Sequence, residues 1–313
     1  MAKGDPPAAS GGVLVAGAIN TDLVARVSAA PEAGETVIGT DFAIFGGGKA
    51  ANQAVSAVRS GAPTAILGAL GNDDFGRQRL ADLECEGIDT EAVSQIADLP
   101  SGVALILVED ATGQNRIANV LGATTTVTPE QATAALERIR PRVLLLTLEL
   151  PISTLTVLVK AACAHDVTVV LNATPAAVTG RDLVAHTDLL IVNETEAGDL
   201  LGRAVDADGG AEAAMALTGL GPSSVVITLG AAGAAVVSQG ETTVLPAPRV
   251  EVVDTTGAGD AFCGALAAQL VAGADLVEAA RVGVIAGSLA TTKPGAQPSM
   301  PTHDEITRFS GNR

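Results

Sequence analysis

From about residue 140 onward, short runs of Val, Leu and Ile alternate with stretches of helical spacing. This rhythm restricts the fold more than any other feature of the chain. Apolar runs fall at residues 143–148, 167–171, 189–192 and 225–229, and helical patterns at 154–164, 210–220 and 257–271. Unbroken apolar runs suit strands buried on both faces, and the intervening helices supply the cover. Residues 13–17 and 64–68 add strands of the same kind, each followed by a helical stretch, at 52–60 and 75–86. The expected fold is α/β, a doubly wound, mostly parallel sheet flanked by helices.

Two segments break the rhythm. Residues 20–45 alternate like strands without a helix, punctuated by Pro31, Gly34 and Gly39. Residues 101–120 do the same, with an apolar run at 103–108, a turn at 109–113 and a more polar strand after it. Each suits an antiparallel hairpin, and the two are expected to pair into a small β-sheet lid. Such a sheet needs one face covered, by ligand or by a second subunit. The expected division is a main α/β domain of residues 12–19, 46–100 and 121–313, a lid of 20–45 and 101–120, and a loose tail over 1–11.

Composition removes several classes of function. Eighteen Lys and Arg against thirty-five Asp and Glu give a net charge of −17, which leaves no basic face for a nucleic acid. With 48% hydrophobic and 17% charged residues, disorder is excluded and a large core is available. No apolar run approaches the ~18 residues of a membrane span. Cys85, Cys163 and Cys263 are scattered without a CxxC pair, and His165, His186 and His303 are too few for a multi-histidine metal centre. An acidic cytoplasmic protein with small-molecule partners is expected, with neither nucleic acid nor membrane among them.

The most informative stretch is Val252-Val253-Asp254-Thr255-Thr256-Gly257-Ala258-Gly259-Asp260-Ala261-Phe262. An apolar run enters a glycine-rich turn, and the turn enters a helix. Unpaired N–H groups at a helix start converge on an anion, helped by the positive end of the helix dipole. Asp260 in the first turn could serve only as a dipole partner. With Gly257 and Gly259 beside it, the same carboxylate can accept a hydroxyl proton while the amides stabilise a moving phosphoryl group. The other glycine-rich segment, Gly46-Gly47-Gly48-Lys49-Ala50, is no Walker A loop, which needs Ser or Thr after the lysine. Nor does a good central strand precede it, as a dinucleotide fingerprint would require.

The sequence Asp254–Phe262 resembles the C-terminal signature of the ribokinase (PfkB) family of carbohydrate kinases. Gly47-Gly48-Lys49-Ala50-Ala51-Asn52-Gln53-Ala54 resembles the family's N-terminal signature, with Ala50 where the usual ribokinase motif has Gly. Ile19–Asp22, Gly71–Gly76, Asn193–Ala197 and Lys293–Ser299 are also similar, in family order from about residue 13 to 301. The resemblance implies a ribokinase-like fold and ATP-dependent phosphorylation of D-ribose at its 5-hydroxyl. It also implies the cofactors Mg²⁺ and K⁺ and a homodimer joined through the lid.

By the same resemblance, Asp260 is the base and Gly257, Ala258 and Gly259 form the anion hole. Asn20, Asp22, Gly48, Lys49, Asn52 and Glu149 hold the sugar. Asn20 and Asp22 alone would pass for a turn pair, and Glu149 for a solvated loop acid. Asn193 and Glu196 organise Mg²⁺ through water, although the pair also reads as a helix capping box. Thr228, Gly230, Gly233 and Gly259 would bind the nucleotide. Asp254, Thr256, Ala290, Lys293, Gly295 and Ser299 match the ligands of the potassium ion. Other acceptors within the family are 2-deoxyribose, fructose or a nucleoside, and a non-catalytic sugar sensor is a further reading. The absence of Trp and Tyr argues against stacking a nucleobase.

Overall fold

The structure, a computed structural model, describes residues 11–112, 114–174 and 181–311. The tail expected over 1–11 therefore lies outside the described residues apart from Gly11, whose N–H bonds to the Arg140 carbonyl at 3.0 Å.

The chain opens with the buried strand β1 (Val13–Ala16) and at once leaves the core through β2 (Asn20–Val27) and β3 (Gly39–Gly47). It returns through α1 (Lys49–Arg59), β4 (Thr64–Gly71), α2 (Asp74–Cys85) and β5 (Val93–Ile96). A second excursion is β6 (Gly102–Glu109) and β7 (Asn115–Val120). Then come α3 (Pro129–Ile139), β8 (Val143–Thr147), α4 (Ile152–Ala164), β9 (Thr168–Asn172) and α5 (Arg181–Ala185). The run continues with β10 (Leu189–Asn193), α6 (Glu194–Leu201), α7 (Gly210–Thr218) and β11 (Ser224–Thr228). A hairpin of β12 (Ala234–Ser238) and β13 (Glu241–Leu245) precedes α8 (Ala258–Ala272), α9 (Leu276–Ala290) and α10 (His303–Gly311).

The large sheet has the order β13-β12-β11-β10-β9-β8-β1-β4-β5 and is parallel from β11 to β5, with β12 and β13 antiparallel at one edge. Its alternating side chains feed two cores. Leu14 and Ala16 pack with α3, α4 and α7 residues such as Leu136, Leu158 and Leu217, while Val13 and Val15 pack with α1 and α8 residues such as Val55 and Leu266. Both faces are buried, which is why the strands read as unbroken apolar runs. No helix among the described residues is long and apolar enough to cross a membrane.

The two excursions form the expected small sheet, in the order β3-β2-β6-β7. Each hairpin is antiparallel internally, and they join through a parallel β2–β6 pair. Direct cross-strand partners share a face. Asp22, Phe45, Ala104 and Asn119 lie on one, and Leu23, Ile44, Leu105 and Ala118 on the other.

Candidate active site

Strand order reverses beside β1: the chain moves outward through β4 and β5 on one side and through β8 to β11 on the other. In open α/β sheets, ligands bind beyond the strand C-termini at such a switch point. Glu149 stands there, just past β8. Its Oε2 accepts the Ala18 N–H from the turn after β1 at 3.0 Å and the Thr147 hydroxyl at 3.0 Å. Burial pushes its carboxyl up, against the pull of those two donors and of Lys49.

Asp260 occupies the first turn of α8 and is only 7% exposed. Its Oδ2 accepts from Asn52 Nδ2 at 2.9 Å, and its Oδ1 from Gln53 Nε2 at 3.0 Å. Asn52, expected to face a sugar hydroxyl, thus gives its amide N–H to the carboxylate. The helix begins at Lys49 rather than at 52, which carries Asn52 a turn deeper against α8. Its Oδ1 is buried without a partner. A sugar hydroxyl could satisfy that acceptor.

The N-cap of α8 is Gly257, in the left-handed conformation at φ 77°, where a Cβ would stand 3.0 Å from Ala296 Cα. Ala258 N–H closes a turn on the Thr255 carbonyl at 3.3 Å and Ala261 N–H bonds to the Gly257 carbonyl at 2.8 Å. The amides between them, of Gly259 and Asp260, belong to the first turn, where helix geometry provides no partner. A Cβ on Gly259 would meet nothing within 4 Å. There is room for a tetrahedral group at that point.

These residues open onto a cavity of about 420 Å³. Its wall brings together Lys49, Asn193, Glu196, Thr228, Gly230, Gly257, Ala258, Gly259 and Asp260. Gly233 is not on that wall; it turns against the Leu245 carbonyl. Asn193 and Glu196 cap α6 reciprocally. Asn193 Oδ1 accepts the Glu196 N–H at 2.8 Å, and Glu196 Oε2 accepts the Asn193 N–H at 2.9 Å. The capping-box reading holds, and the same pair lines the cavity. Burial raises the Glu196 carboxyl, opposed by the Asn193 N–H and by Lys49. Burial alone would lower Lys49, but Asp260, Glu149 and Glu196 outweigh it and push its ammonium up.

Among the described residues no cluster of three or more His, Cys, Asp or Glu could cage a metal. The pair Asn193 and Glu196 nevertheless fits Mg²⁺, which keeps several waters and takes few protein ligands. The loop expected to hold potassium is assembled around Asp254. Its Oδ1 accepts Thr256 N–H at 2.9 Å and Thr256 Oγ1 at 2.7 Å, and its Oδ2 accepts Gly295 N–H at 2.9 Å. Burial raises this carboxyl, but the three donors outweigh it and hold it below its ordinary range. Lys293 commits its ammonium to Glu305 at 2.8 Å, which leaves only its carbonyl for a cation. Ser299 Oγ donates to the Ala296 carbonyl at 2.7 Å, and the Ala290 carbonyl accepts Lys293 N–H at 3.3 Å. Carboxylate, hydroxyl and carbonyl oxygens of this kind suit a hard cation.

From the lid, Asn20 and Asp22 point to the same side, and Asn20 Nδ2 donates to Asn119 Oδ1 at 3.0 Å. That leaves Asn20 Oδ1 as a buried acceptor without a partner. Burial raises Asp22 to about 6, with Asp260 and Glu149 adding to the rise and Arg79 opposing it. Gly48, at φ 86°, lets the start of α1 approach the Ala18 carbonyl, where a Cβ would sit at 2.5 Å. None of Asn20, Asp22, Gly48, Asn52 and Glu149 lines the cavity; the carboxylates and Asn52 are coupled to it through Asp260 and Lys49.

Gln53, Asn172, Asn119 and Arg79 escaped the sequence reading. Asn172 ends β9 as Asn193 ends β10, so the strand-end rule applied uniformly would have found it. Arg79 and Asn119 carry no local signal of their kind.

Comparison with known proteins agrees with this geometry. The model of the pfkB family carbohydrate kinases matches residues 11–303. The chain is 36% identical over 295 residues to the ribokinase of Bacillus subtilis, covering 94% of this chain and 97% of that one. It is 32% identical over 303 residues to the deoxyribokinase of Salmonella typhi, covering 95% and 98%. The structure of Arabidopsis thaliana ribokinase complexed with ribose and ATP superposes with a TM-score of 0.85 at 29% identity, covering 96% of this chain and 98% of that one. The family-model match over residues 11–303 and the identity to a ribokinase over nearly the whole length place the chain in the pfkB family of carbohydrate kinases.

Proposed function

We propose that this chain transfers the γ-phosphoryl group of ATP to the 5-hydroxyl of D-ribose, giving ribose 5-phosphate and ADP. The observation that carries this reading is the Asp260 carboxylate, buried beside the unspent first-turn amides of α8 on the wall of the cavity. The triphosphate would lie along Thr228, Gly230 and Asn193, with its terminal group against Gly257, Ala258 and Gly259. Ribose would lie between Asn20, Asp22, Gly48, Lys49, Asn52 and Glu149. The acceptors there outnumber the donors, as a polyol requires, because hydroxyls must donate as well as accept.

As the hydroxyl oxygen bonds to phosphorus, the bond from phosphorus to the ADP oxygen breaks and the hydroxyl proton passes to Asp260. A carboxylate is a weak base, so the proton moves late, once the oxygen has become acidic. Lys49, kept cationic by its acidic neighbours, and the α8 amides share the developing charge. Mg²⁺ held through water by Asn193 and Glu196 would neutralise the triphosphate. Asp254, Thr256, Ala290, Lys293, Gly295 and Ser299 would hold K⁺ and so stiffen the loop that ends at Gly257. A lid closed over the sugar keeps out water, the competing acceptor. Free thiols at Cys85, Cys163 and Cys263 suit a reducing cytoplasm.

The similarity to a deoxyribokinase supports a second reading, in which the acceptor is 2-deoxyribose. ADP release with ribose, 2-deoxyribose, fructose and a nucleoside separates the two. Ribose should give the highest kcat/KM, and withdrawal of K⁺ should lower kcat. The KM for ribose should climb as pH falls below about 6, since an acid with a raised pKa loses its charge there and with it the pull on sugar hydroxyls. A preference for another acceptor would replace ribose in this assignment.

The lid also supports a homodimer. Phe42, Ile44, Leu105 and Val120 are each half exposed or more on its outer face. A second copy would cover them. Light scattering should return twice the chain mass, and a monomer across the assay range would exclude the dimer.

A further inference from the structure

Asp260 is held by two amides, and only one of them belongs to the sugar pocket expected from the sequence. The second is Gln53, fully buried on α1. Its Nε2 reaches Asp260 Oδ1 at 3.0 Å and Asn172 Oδ1 at 2.9 Å. An amide nitrogen carries two hydrogens, so both are spent. Asn172 in turn gives its Nδ2 to the Ile191 carbonyl of β10 at 3.3 Å. The chain of donors has one direction. A main-chain carbonyl fixes the Asn172 amide, and Asn172 presents its oxygen to Gln53. Gln53 then aims its remaining N–H at the carboxylate. Reversing the Gln53 amide would set its oxygen against two other oxygens.

We infer that Gln53, backed by Asn172, is a positioning residue that locks the Asp260 carboxylate in the orientation from which it accepts the proton of the substrate hydroxyl. Asn52 and Gln53 each keep a buried side-chain oxygen without a partner, so that feature does not tell them apart. What sets Gln53 apart is its second N–H, which Asn172 holds in place. The other ionisable groups that act on Asp260 are Lys49 on α1, Glu149 after β8, Glu196 on α6, Asp22 on β2 and Cys263 on α8. None of them bonds to its oxygens, so the orientation rests on the two amides.

This inference rests on the kinase reading, and the test keeps the two apart by using whichever acceptor the wild-type chain phosphorylates fastest. Gln53→Met preserves length and removes the donor. It should lower kcat about 10–100-fold while both KM values stay within about threefold, the pattern of a misplaced group rather than a lost binding contact. Asn172→Ala should lower kcat about 3–10-fold, and the double variant should match Gln53→Met, because the two act as one unit. If Gln53→Met does not fold, the kcat and KM values of Asn172→Ala decide the matter. Unchanged kcat in either variant, a loss confined to KM, or losses that multiply in the double variant would overturn the inference. A wild-type chain inactive on every acceptor would remove the kinase reading itself and this one with it.

Discussion

Asp260→Asn should reduce turnover by about a thousandfold while ribose and ATP still bind. A positioned base contributes roughly 10²–10⁴ in rate, and this one has no substitute close by. Glu149 spends one oxygen on Ala18 and Thr147. Glu196 spends one on its own helix cap. The substitution keeps shape but opposes an amide NH₂ to one of the two donors, Asn52 or Gln53, so one hydrogen bond to a charged group, worth about 1.5–3 kcal/mol, is lost. Against that, removing one of the three carboxylates around Lys49 relieves repulsion with Asp22, Glu149 and Glu196. The two effects are of similar size, and the melting temperature should stay within a few degrees. Calorimetric titration of ribose and nucleotide beside steady-state ADP release measures both halves. Turnover within tenfold of wild type would strip Asp260 of its role.

The sheet was legible because burial on both faces leaves an unmistakable apolar run, as in 143–148, and because the lid segments lacked helical spacing. Helices with few large apolar residues were missed. α3 follows Thr128-Pro129-Glu130-Gln131, a capping box that closes in the structure with Thr128 Oγ1 accepting the Gln131 N–H at 3.3 Å. Its core face, Ala132, Ala135, Leu136 and Ile139, is half alanine, which blurs the periodicity. In α9 the buried face is built from Ala279, Ala280, Gly283, Ala286 and Gly287, so close helix packing replaces hydrophobic contrast. The β12–β13 hairpin has no counterpart in the sequence reading, which names only Thr228, Gly230 and Gly233 just before it.

The site divides in the same way. Residues in contiguous motifs, Gly257 to Asp260 and, through the family resemblance, Asn193 with Glu196, are legible in the sequence and meet in one cavity. Partners that act by orienting others did not. Gln53 and Asn172 are 119 positions apart, and nothing local to either foretells a hydrogen bond between them. The Ala18 N–H that holds Glu149 belongs to the main chain and carries no sequence signature at all.

Gly259→Ala and Gly257→Ala should separate catalysis from stability at two positions a single residue apart. At Gly259 the new methyl meets no protein atom within 4 Å. Exchanging Gly for Ala inside a helix is worth about 0.5–1 kcal/mol in favour of Ala, so the variant should melt at or slightly above the wild-type temperature. The space the methyl enters is the one the migrating phosphoryl group needs. Loss of one anion-hole contact costs about 10²–10³ in kcat, and crowding the hole should cost at least that. At Gly257 the backbone itself objects. A residue with a Cβ pays about 1–2 kcal/mol at φ 77°. Its Cβ would also press at 3.0 Å on Ala296 Cα, in the loop that Asp254 ties down through Gly295. Gly257→Ala should therefore lower the melting temperature and, by displacing that loop, weaken the response to K⁺ as well as kcat. Thermal melts and kcat measured on both variants with and without K⁺ read the two effects separately. Full turnover in Gly259→Ala would mean that the phosphoryl group travels elsewhere, however well Gly257→Ala behaved.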